Sequence, residues 1–501
     1  MATKFVNKVL TSAFTRVFLI EGRARADHAP SYESCMRMQG ISQGFGDIER
    51  IECPDPYKYG GFIEVATIKG TTERPTVTLE SRYLADALSD LLRMAKEGCT
   101  FDVQLHIGDC QDPSIFNDFS KILVFENSSL TNYGTDELGA LGSDENAVVN
   151  ETADLSGQDV YELISMFFAT QAASIVVNEV LDVVVCDSVA CGECEDESAG
   201  CNKIFALTKA AGGSPATLPD IVFSVDKGTT WYAHDIESLV GEPNKLDCVG
   251  VYIVVVSEAD GALHYALKSE FNSYTDPDFT QVTTGFVGGG GPRAIWSAGN
   301  KAFIVGSGGY VYTTTDPTAG VTAVSAGAAV VDNLLDVHGI SEAFAVAVGN
   351  NGAVIYTEDG DNWAAATRPV GAGVHLNAVW VKGEREWLVG TSTGRLYYSL
   401  DKGVTWTEKA FPGSGAGVVR AIAFSNNSVG FLSHDTVTPR GRILRTIDGG
   451  YSWYVLPETG AMPLTDRFNA LAACAYDPNF VVGVGLADDG SDGALVVGTA
   501  A

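Results

Sequence analysis

Ser224-Val-Asp226-Lys-Gly228-Thr-Thr230-Trp231 is a phrase that returns along the chain. It comes back as Ser399-Leu-Asp401-Lys-Gly403-Val-Thr405-Trp406 and as Thr446-Ile-Asp448-Gly-Gly450-Tyr-Ser452-Trp453. A copy one residue shorter reads Thr357-Glu-Asp359-Gly360-Asp-Asn-Trp363, and worn copies lacking the Trp sit at Thr314-Thr-Asp316-Pro and around Asp276-Pro277. Each part has a local reason. The Asp carboxylate accepts backbone N–H groups of a tight turn. The Gly supplies a positive φ. The Ser or Thr hydroxyl closes the turn, and the Trp packs its indole on the hairpin it ends. Recurrence every 40 to 50 residues, roughly, in a β-rich chain means a propeller or an array.

A second phrase runs in register with the first: an apolar strand, a Gly-rich turn, then a strand that leads into the Asp phrase. Val305-Gly-Ser-Gly-Gly309-Tyr-Val-Tyr312 and Val389-Gly-Thr-Ser-Thr-Gly394-Arg-Leu-Tyr-Tyr398 are examples. Such runs read as strands. They divide the C-terminal two thirds into seven blades, at 173–236, 242–285, 291–327, 330–369, 375–411, 418–458 and 467–501. The last blade is one strand short, and Val160–Phe168 is the candidate to complete it and remove the open edge.

The phrase resembles the Asp-box of sialidases, sortilin-type receptors and photosystem II assembly factors, where the box lies on the hairpin between the last two strands of a blade. The resemblance implies that Asp226, Gly228, Trp231, Asp359, Trp363, Asp401, Gly403, Trp406, Asp448, Gly450 and Trp453 are structural residues, away from any active site.

The chain has 501 residues, 55 of them Gly, and a net charge of −31. That charge excludes holding DNA or RNA by phosphate neutralisation; it serves solubility or salt tolerance, or a surface that repels nucleic acid. No uninterrupted apolar run of about 18 residues exists, because Glu179 and Asp182 break 165–185, so no membrane insertion is expected. The N-terminus lacks an apolar core before Arg16, so a secretory signal is not expected.

Residues 1–155 lack the repeat. Strands are expected at 14–21, 31–38, 47–53, 62–69, 74–79, 101–107, 121–126 and 147–152. One helix is expected at Arg82–Glu97, where Leu84, Leu88, Leu91, Leu92 and Ala95 share a face. The Gly-rich stretch Met38–Asp47 reads as a long hairpin tip or loop. One helix against two small sheets is an α+β sandwich. This order of elements, with phrases such as Gly98-Cys-Thr-Phe-Asp102-Val-Gln-Leu-His106, Pro113-Ser-Ile-Phe-Asn117 and Leu138-Gly-Ala-Leu-Gly-Ser-Asp-Glu-Asn-Ala147, resembles the major tail tube protein of long-tailed bacteriophages. The resemblance implies stacked homo-oligomeric rings, commonly hexamers, assembled in the host cytoplasm into a virion tail, with other tail proteins as partners and appended domains projecting outward. The first 172 positions carry 26 acidic against 14 basic residues. An acidic lumen would let DNA pass without binding it.

Residues 156–180 read as a linker with the closing strand, and 181–501 as the propeller. Within blade one, Cys186, Cys191, Cys194 and Cys201 lie inside sixteen residues. They could hold a structural zinc or form two disulfides that pin the loop. The spacing leaves both open. Cys35, Cys53, Cys99, Cys110, Cys248 and Cys474 read as small buried hydrophobes unless a pair proves adjacent. No other cofactor is implied.

The seven His fall in no metal motif, and His106 alternates with apolar residues in a strand. No Gly-x-Ser-x-Gly elbow or phosphate loop occurs. A sialidase needs three arginines converging on a sugar carboxylate, and blade one has no Arg. The aromatics Tyr310, Tyr312, Tyr397, Tyr398, Trp380 and Trp387 suit either a carbohydrate platform or packing between blades. The expectation is therefore mainly β: an N-terminal α+β sandwich followed by a seven-bladed β-propeller, in a structural protein and not an enzyme. The alternative is a propeller adhesion module holding host-surface glycans or proteins.

Overall fold

The computed structural model describes residues 15–21, 31–34, 37–42, 49–54, 62–68, 75–82, 101–107, 121–135, 150–157, 159–163, 166–170, 178–186, 201–209, 220–272, 277–287, 290–324, 330–435, 441–456, 465–487 and 492–500. The chain forms two compact units, Met1–Ser165 and Met166–Ala501.

The first unit contains β1 (Thr15–Glu21), β2 (Ser31–Ser34), β3 (Arg37–Ser42), β4 (Glu49–Pro54), β5 (Phe62–Ile68), β6 (Thr76–Arg82), β7 (Phe101–Ile107), β8 (Lys121–Thr135), β9 (Asn150–Ser156) and β10 (Asp159–Leu163). The order across the sheet is β2-β1-β7-β8-β9-β6-β3, with β10 also on β8. The two end strands are joined by only two residues, so the sheet must roll until its edges meet. The bend lies in β8. Its residues up to Ser128 pair with β7 and β10, and its residues from Ser129 pair with β9. Asn127 sits at the junction with φ +48°, and its N–H donates to Asp102 Oδ1 at 2.9 Å. Two half-sheets result, with Val77, Val103, Leu105, Phe125, Ala153 and Leu155 fully buried.

Two sequence expectations change here. Met38–Ser42 is strand and not loop, because it pairs with β6 from Arg37↔Glu80 to Ser42↔Thr76. Val160–Leu163 does not close the propeller; it pairs with β8. The expected helix at 83–97, the phrases at 113–117 and 138–147, and Asp276 lie outside the described residues.

The second unit holds seven four-stranded antiparallel sheets among the described residues. Six are sequential meanders spanning 180–234, 245–282, 292–324, 334–365, 376–409 and 418–455. The first strand of each packs against the first strand of the next, and the series closes because Val180–Cys186 packs against Thr465–Cys474. Seven sheets joined edge-on through their first strands in a closed cycle are a β-propeller. Short outer strands of two to three residues limit the exposed edges of blades one to six.

The seventh blade is completed from before the first. Strand β11 (Met166–Thr170) lies antiparallel to Gly493–Ala500, from Met166↔Ala500 to Thr170↔Val496. Apolar cores fill the wedges between blades. One joins blades seven and one through Val183, Trp231, Phe480 and Val482; another joins blades one and two through Phe205, Phe223, Leu246 and Ile253. Among the described residues no helix is long and apolar enough to cross a membrane.

Candidate functional site

The Asp phrases sit on the hairpin between the third and fourth strands of their blades. In blade one, Asp226 Oδ1 accepts Ser224 Oγ–H at 2.8 Å and Thr230 N–H at 2.7 Å, and Oδ2 accepts the Thr230 hydroxyl. Ser224 Oγ accepts Gly228 N–H at 2.8 Å, and Trp231 Nε1–H donates to Gly228 O at 3.0 Å. Blade six repeats this with Thr446, Asp448, Gly450, Ser452 and Trp453. Blade five differs at the indole: Trp406 Nε1–H donates to Thr367 O at 2.8 Å, in the connection from the preceding blade. In blade four, Asn362 takes the role of the Thr and donates to both oxygens of Asp359. The donors around Asp226, Asp359 and Asp401 hold their carboxyls below the usual range, against a desolvation that acts the other way. Asp316 keeps a reduced form of the turn with Thr314 and Thr318. The Asp carboxylates of the boxes are thus engaged within their own turns. Of the indoles, those of Trp231 and Trp453 bond inside the box, Trp406 bonds outside it, and Trp363 Nε1 is buried without a partner among the described residues.

A polar network that the sequence reading missed occupies the first strands, whose inner edges have no ladder partner. Their N–H groups are met by side chains of the preceding blade. Asp182 Oδ2 accepts Leu246 N–H at 3.0 Å, Asp336 Oδ2 accepts Val379 N–H at 2.8 Å, and His338 Nδ1 accepts Val381 N–H at 3.1 Å. Asn469 returns the favour in the other direction, donating to Val180 O at 2.9 Å. Lys245, Ala294 and Asp336 occupy matching positions in blades two, three and four, opposite Val256, Val305 and Val348. Because the middle position is only Ala, Lys245 Nζ reaches past it to Asp336 Oδ1 at 2.7 Å.

Burial drives the titration of this network. It pushes the Asp182 carboxyl up to about 6, offset in part by Lys245 and by the Leu246 N–H. It likewise pushes Asp247 up to about 6. Lys245 is held above the ordinary lysine range: desolvation opposes its charge, but Asp336 and Asp182 outweigh it. Burial, helped by the Lys245 charge, pushes His338 down to about 3, so it is neutral and accepts at Nδ1. His338 is stacked between Trp380 at 3.8 Å and Trp296 at 5.4 Å between ring centroids.

A test follows for Asp182. Its folded pKa lies above the ordinary carboxylate value, so the folded protein binds that proton more tightly. Its contribution is present at low pH and lost as pH rises through about 6. Asp182→Asn keeps an acceptor for Leu246 but removes the charge. The variant is expected to gain about 1–2 kcal/mol over wild type at pH 8 and nothing at pH 4.5. Melting curves at the two values check it; an equal shift at both would contradict it.

Charged groups nearer the starts of the first strands are paired with one another. Arg293 meets Glu258 at 2.7 Å, Arg420 meets Asp435 at 2.5 Å, and Arg467 meets Glu179 at 2.5 Å. Of the aromatics, Tyr312, Trp387 and Tyr398 are buried in the blades, which is the packing role. Trp380 is half-buried in the stack with His338, and Tyr310 is exposed.

The cysteines correct an expectation. Cys186 is bonded to Cys248 and Cys201 to Cys474, with Cα–Cα distances of 6.0 and 5.8 Å. Cys186 lies in the core between blades one and two, and Cys201 in the core between blades seven and one. They face opposite sides of the blade-one sheet, so they neither converge on one zinc ion nor pin their own loop. Cys191 and Cys194 lie outside the described residues. The pairings could not be read from sequence, since the partners are 62 and 273 positions apart.

No protein-family model and no curated protein matches the chain. Among solved structures it is similar to YCF48 bound to D1 peptide, with TM-score 0.47 and 12% identity, over 68% of this chain and 96% of that one. It is similar to YCF48 from Cyanidioschyzon merolae, with TM-score 0.48 and 12% identity, over 67% and 98%. It is also similar to the GH74 xyloglucanase from Xanthomonas campestris, with TM-score 0.45 and 15% identity, over 66% of this chain and 53% of that one. The propeller fold itself is read from the strand ladders and their closed cycle.

Proposed function

We propose that this chain is a non-catalytic virion subunit whose first unit polymerises into rings of a tail tube, with the propeller as a displayed module. The observation that carries this reading is the β4–β5 hairpin. Its ladder runs from Glu49↔Ile68 to Pro54↔Phe62 and joins no other sheet among the described residues. In sequence it is nested between β3 and β6, which pair with each other at one end of the larger sheet. A two-stranded ladder alone is marginal in water and offers unpaired edges. A neighbouring copy supplies the missing partner, and ring symmetry repeats the contact. The acidic charge of the chain suits a tube that passes DNA without holding it. On this reading the subunits assemble in the host cytoplasm, as hexamers or a similar ring, together with other tail proteins.

Electron microscopy of the purified protein tests the proposal. Wild type is expected to form rings or tubes, and replacing residues 49–68 by a short Gly-Ser turn is expected to abolish them while leaving the propeller melting transition within about 2 °C. Monodisperse monomers of wild type under all conditions would sink it.

A second reading is a protein- or glycan-binding propeller. Val240, Val287 and Val331 lie on connections between successive blades and are 90%, 41% and 84% exposed, with Tyr310 at 37% on a turn of blade three. A monomer with saturable binding on a glycan or peptide array would favour that reading over the first.

A further inference from the structure

We propose that the Cys201–Cys474 disulfide is a redox-set second closure of the propeller, redundant with the closing strand β11. Beyond the apolar core between blades seven and one, two devices of different chemistry fasten the seam. One is the five-residue backbone ladder of β11 on Gly493–Ala500. The other is the sulfur bridge from Cys201, just before the second strand of blade one, to Cys474, the last residue of the first strand of blade seven. The bridge bypasses β11: with it in place, peeling β11 away leaves blade seven bonded to blade one. Around these two the seam packs an apolar core that includes Val183, Trp231, Phe480 and Val482, with Glu179 bonded to Arg467 and Asn469 at its edge. Cys186–Cys248 ties blade one to blade two in the same way, so blade one is covalently held on both sides.

Formation of the bridge is a two-electron oxidation. The Cys201 and Cys474 thiols pass two electrons and two protons to a low-molecular-weight disulfide, which leaves as two thiols. Inside a reducing cytoplasm the ring relies on β11 and the apolar core of the seam; outside it the bridge forms and the closure becomes covalent. Cys201 and Cys474 are each 1% exposed, so reduction of the bridge requires the seam to open first.

The experiment uses the full chain prepared with glutathione disulfide or with a phosphine reductant. Non-reducing peptide mapping is expected to find the Cys201 and Cys474 peptides linked in the first preparation only. Phe168→Pro fixes φ and removes an N–H in the middle of β11, which weakens the strand. It is expected to lower the propeller Tm by about 10 °C when reduced and by less than half of that when oxidised. Adding Cys474→Ser to Phe168→Pro is expected to restore the full loss in the oxidised preparation. Equal losses in both states, or Cys201 and Cys474 in unlinked peptides, would overturn the proposal. If Phe168→Pro gives no soluble protein, Phe168→Gly replaces it as a milder weakening of β11: a Tm loss larger in the reduced than in the oxidised preparation supports redundancy, and equal losses overturn it.

Discussion

Lys245→Met is expected to lower the stability of the propeller by about 3 kcal/mol at pH 8 and by about 1 kcal/mol at pH 5. The variant keeps the length of the side chain and removes its charge. Asp336 then loses its 2.7 Å partner, and Asp182 loses the cation that offsets its burial. Breaking a pair costs more than the pair contributes, because one ion is left uncompensated. The half-exposure of Lys245 places the figure at the lower end of that range. The pH dependence follows from the sign of the shifts. Without the lysine the Asp182 carboxyl, already raised by burial, loses the charge that offsets that burial and titrates higher still in the folded state than in the unfolded chain. Protonation therefore favours folding, and the deficit shrinks as pH falls through about 6. Lys245→Met with Asp336→Asn is expected to recover most of the loss, since the amide oxygen still accepts Val379 N–H. Thermal melts of the three proteins at the two pH values check this. A deficit independent of pH, or a double variant no better than the single, would remove the network from any account of ring stability.

What the sequence made legible was local. The Asp phrase encodes its own turn: Asp, Gly, hydroxyl and indole all find partners within five residues in blades one and six. Such a device does not depend on the rest of the chain, so it can be read one copy at a time and counted. Six copies counted six blades, and the strand–turn–strand phrase in register with them supplied the seventh. What stayed hidden depends on register between blades. Asp182, Lys245 and Asp336 are isolated charges in apolar strands, and only the alignment of three blades brings the last two together over Ala294. A usable signal was present: a charged residue at the same place in several first strands. The four-cysteine loop misled for the same reason. Closeness in sequence favoured pairing inside the loop, whereas Cys186 and Cys201 project to opposite faces of one sheet. Closure of the ring was anticipated in kind, but its residues are Met166–Thr170, because Val160–Leu163 is taken by β8.

The box glycines are not equivalent, and their ranking is the second large effect. Gly228, Gly360, Gly403 and Gly450 all have φ between +73° and +97°, so any side chain there carries a strain of about 1–2 kcal/mol. What separates them is the space a Cβ would enter. At Gly228 it would meet Val497 Cγ2 at 3.0 Å, and at Gly450 Leu388 Cδ2 at 2.9 Å; both are methyl groups that need give only a few tenths of an ångström, not a ring or a backbone atom. At Gly403 it would lie 2.6 Å from Trp387 Cζ3 and 2.8 Å from Ala366 Cβ. Trp387 is fully buried, donates to Glu384 O at 3.0 Å, and packs on Tyr356 and Trp406, so its indole cannot yield. At Gly360 the obstacle is the backbone carbonyl of Glu342 at 2.5 Å, which is equally fixed. Overpacking adds about 1–3 kcal/mol where the neighbour is rigid and little where it is not. Gly403→Ala and Gly360→Ala are therefore expected to cost about 3–5 kcal/mol, and Gly228→Ala and Gly450→Ala about 1–2 kcal/mol. Denaturant titrations of the four variants read the order directly. The coupling can be isolated as well: Gly403→Ala combined with Trp387→Leu should cost at least 1 kcal/mol less, in round terms, than the two changes summed, because the smaller side chain vacates the space the methyl needs. Four equal losses would mean that backbone strain alone selects glycine in the box, and that the indole of the neighbouring strand has no part in it.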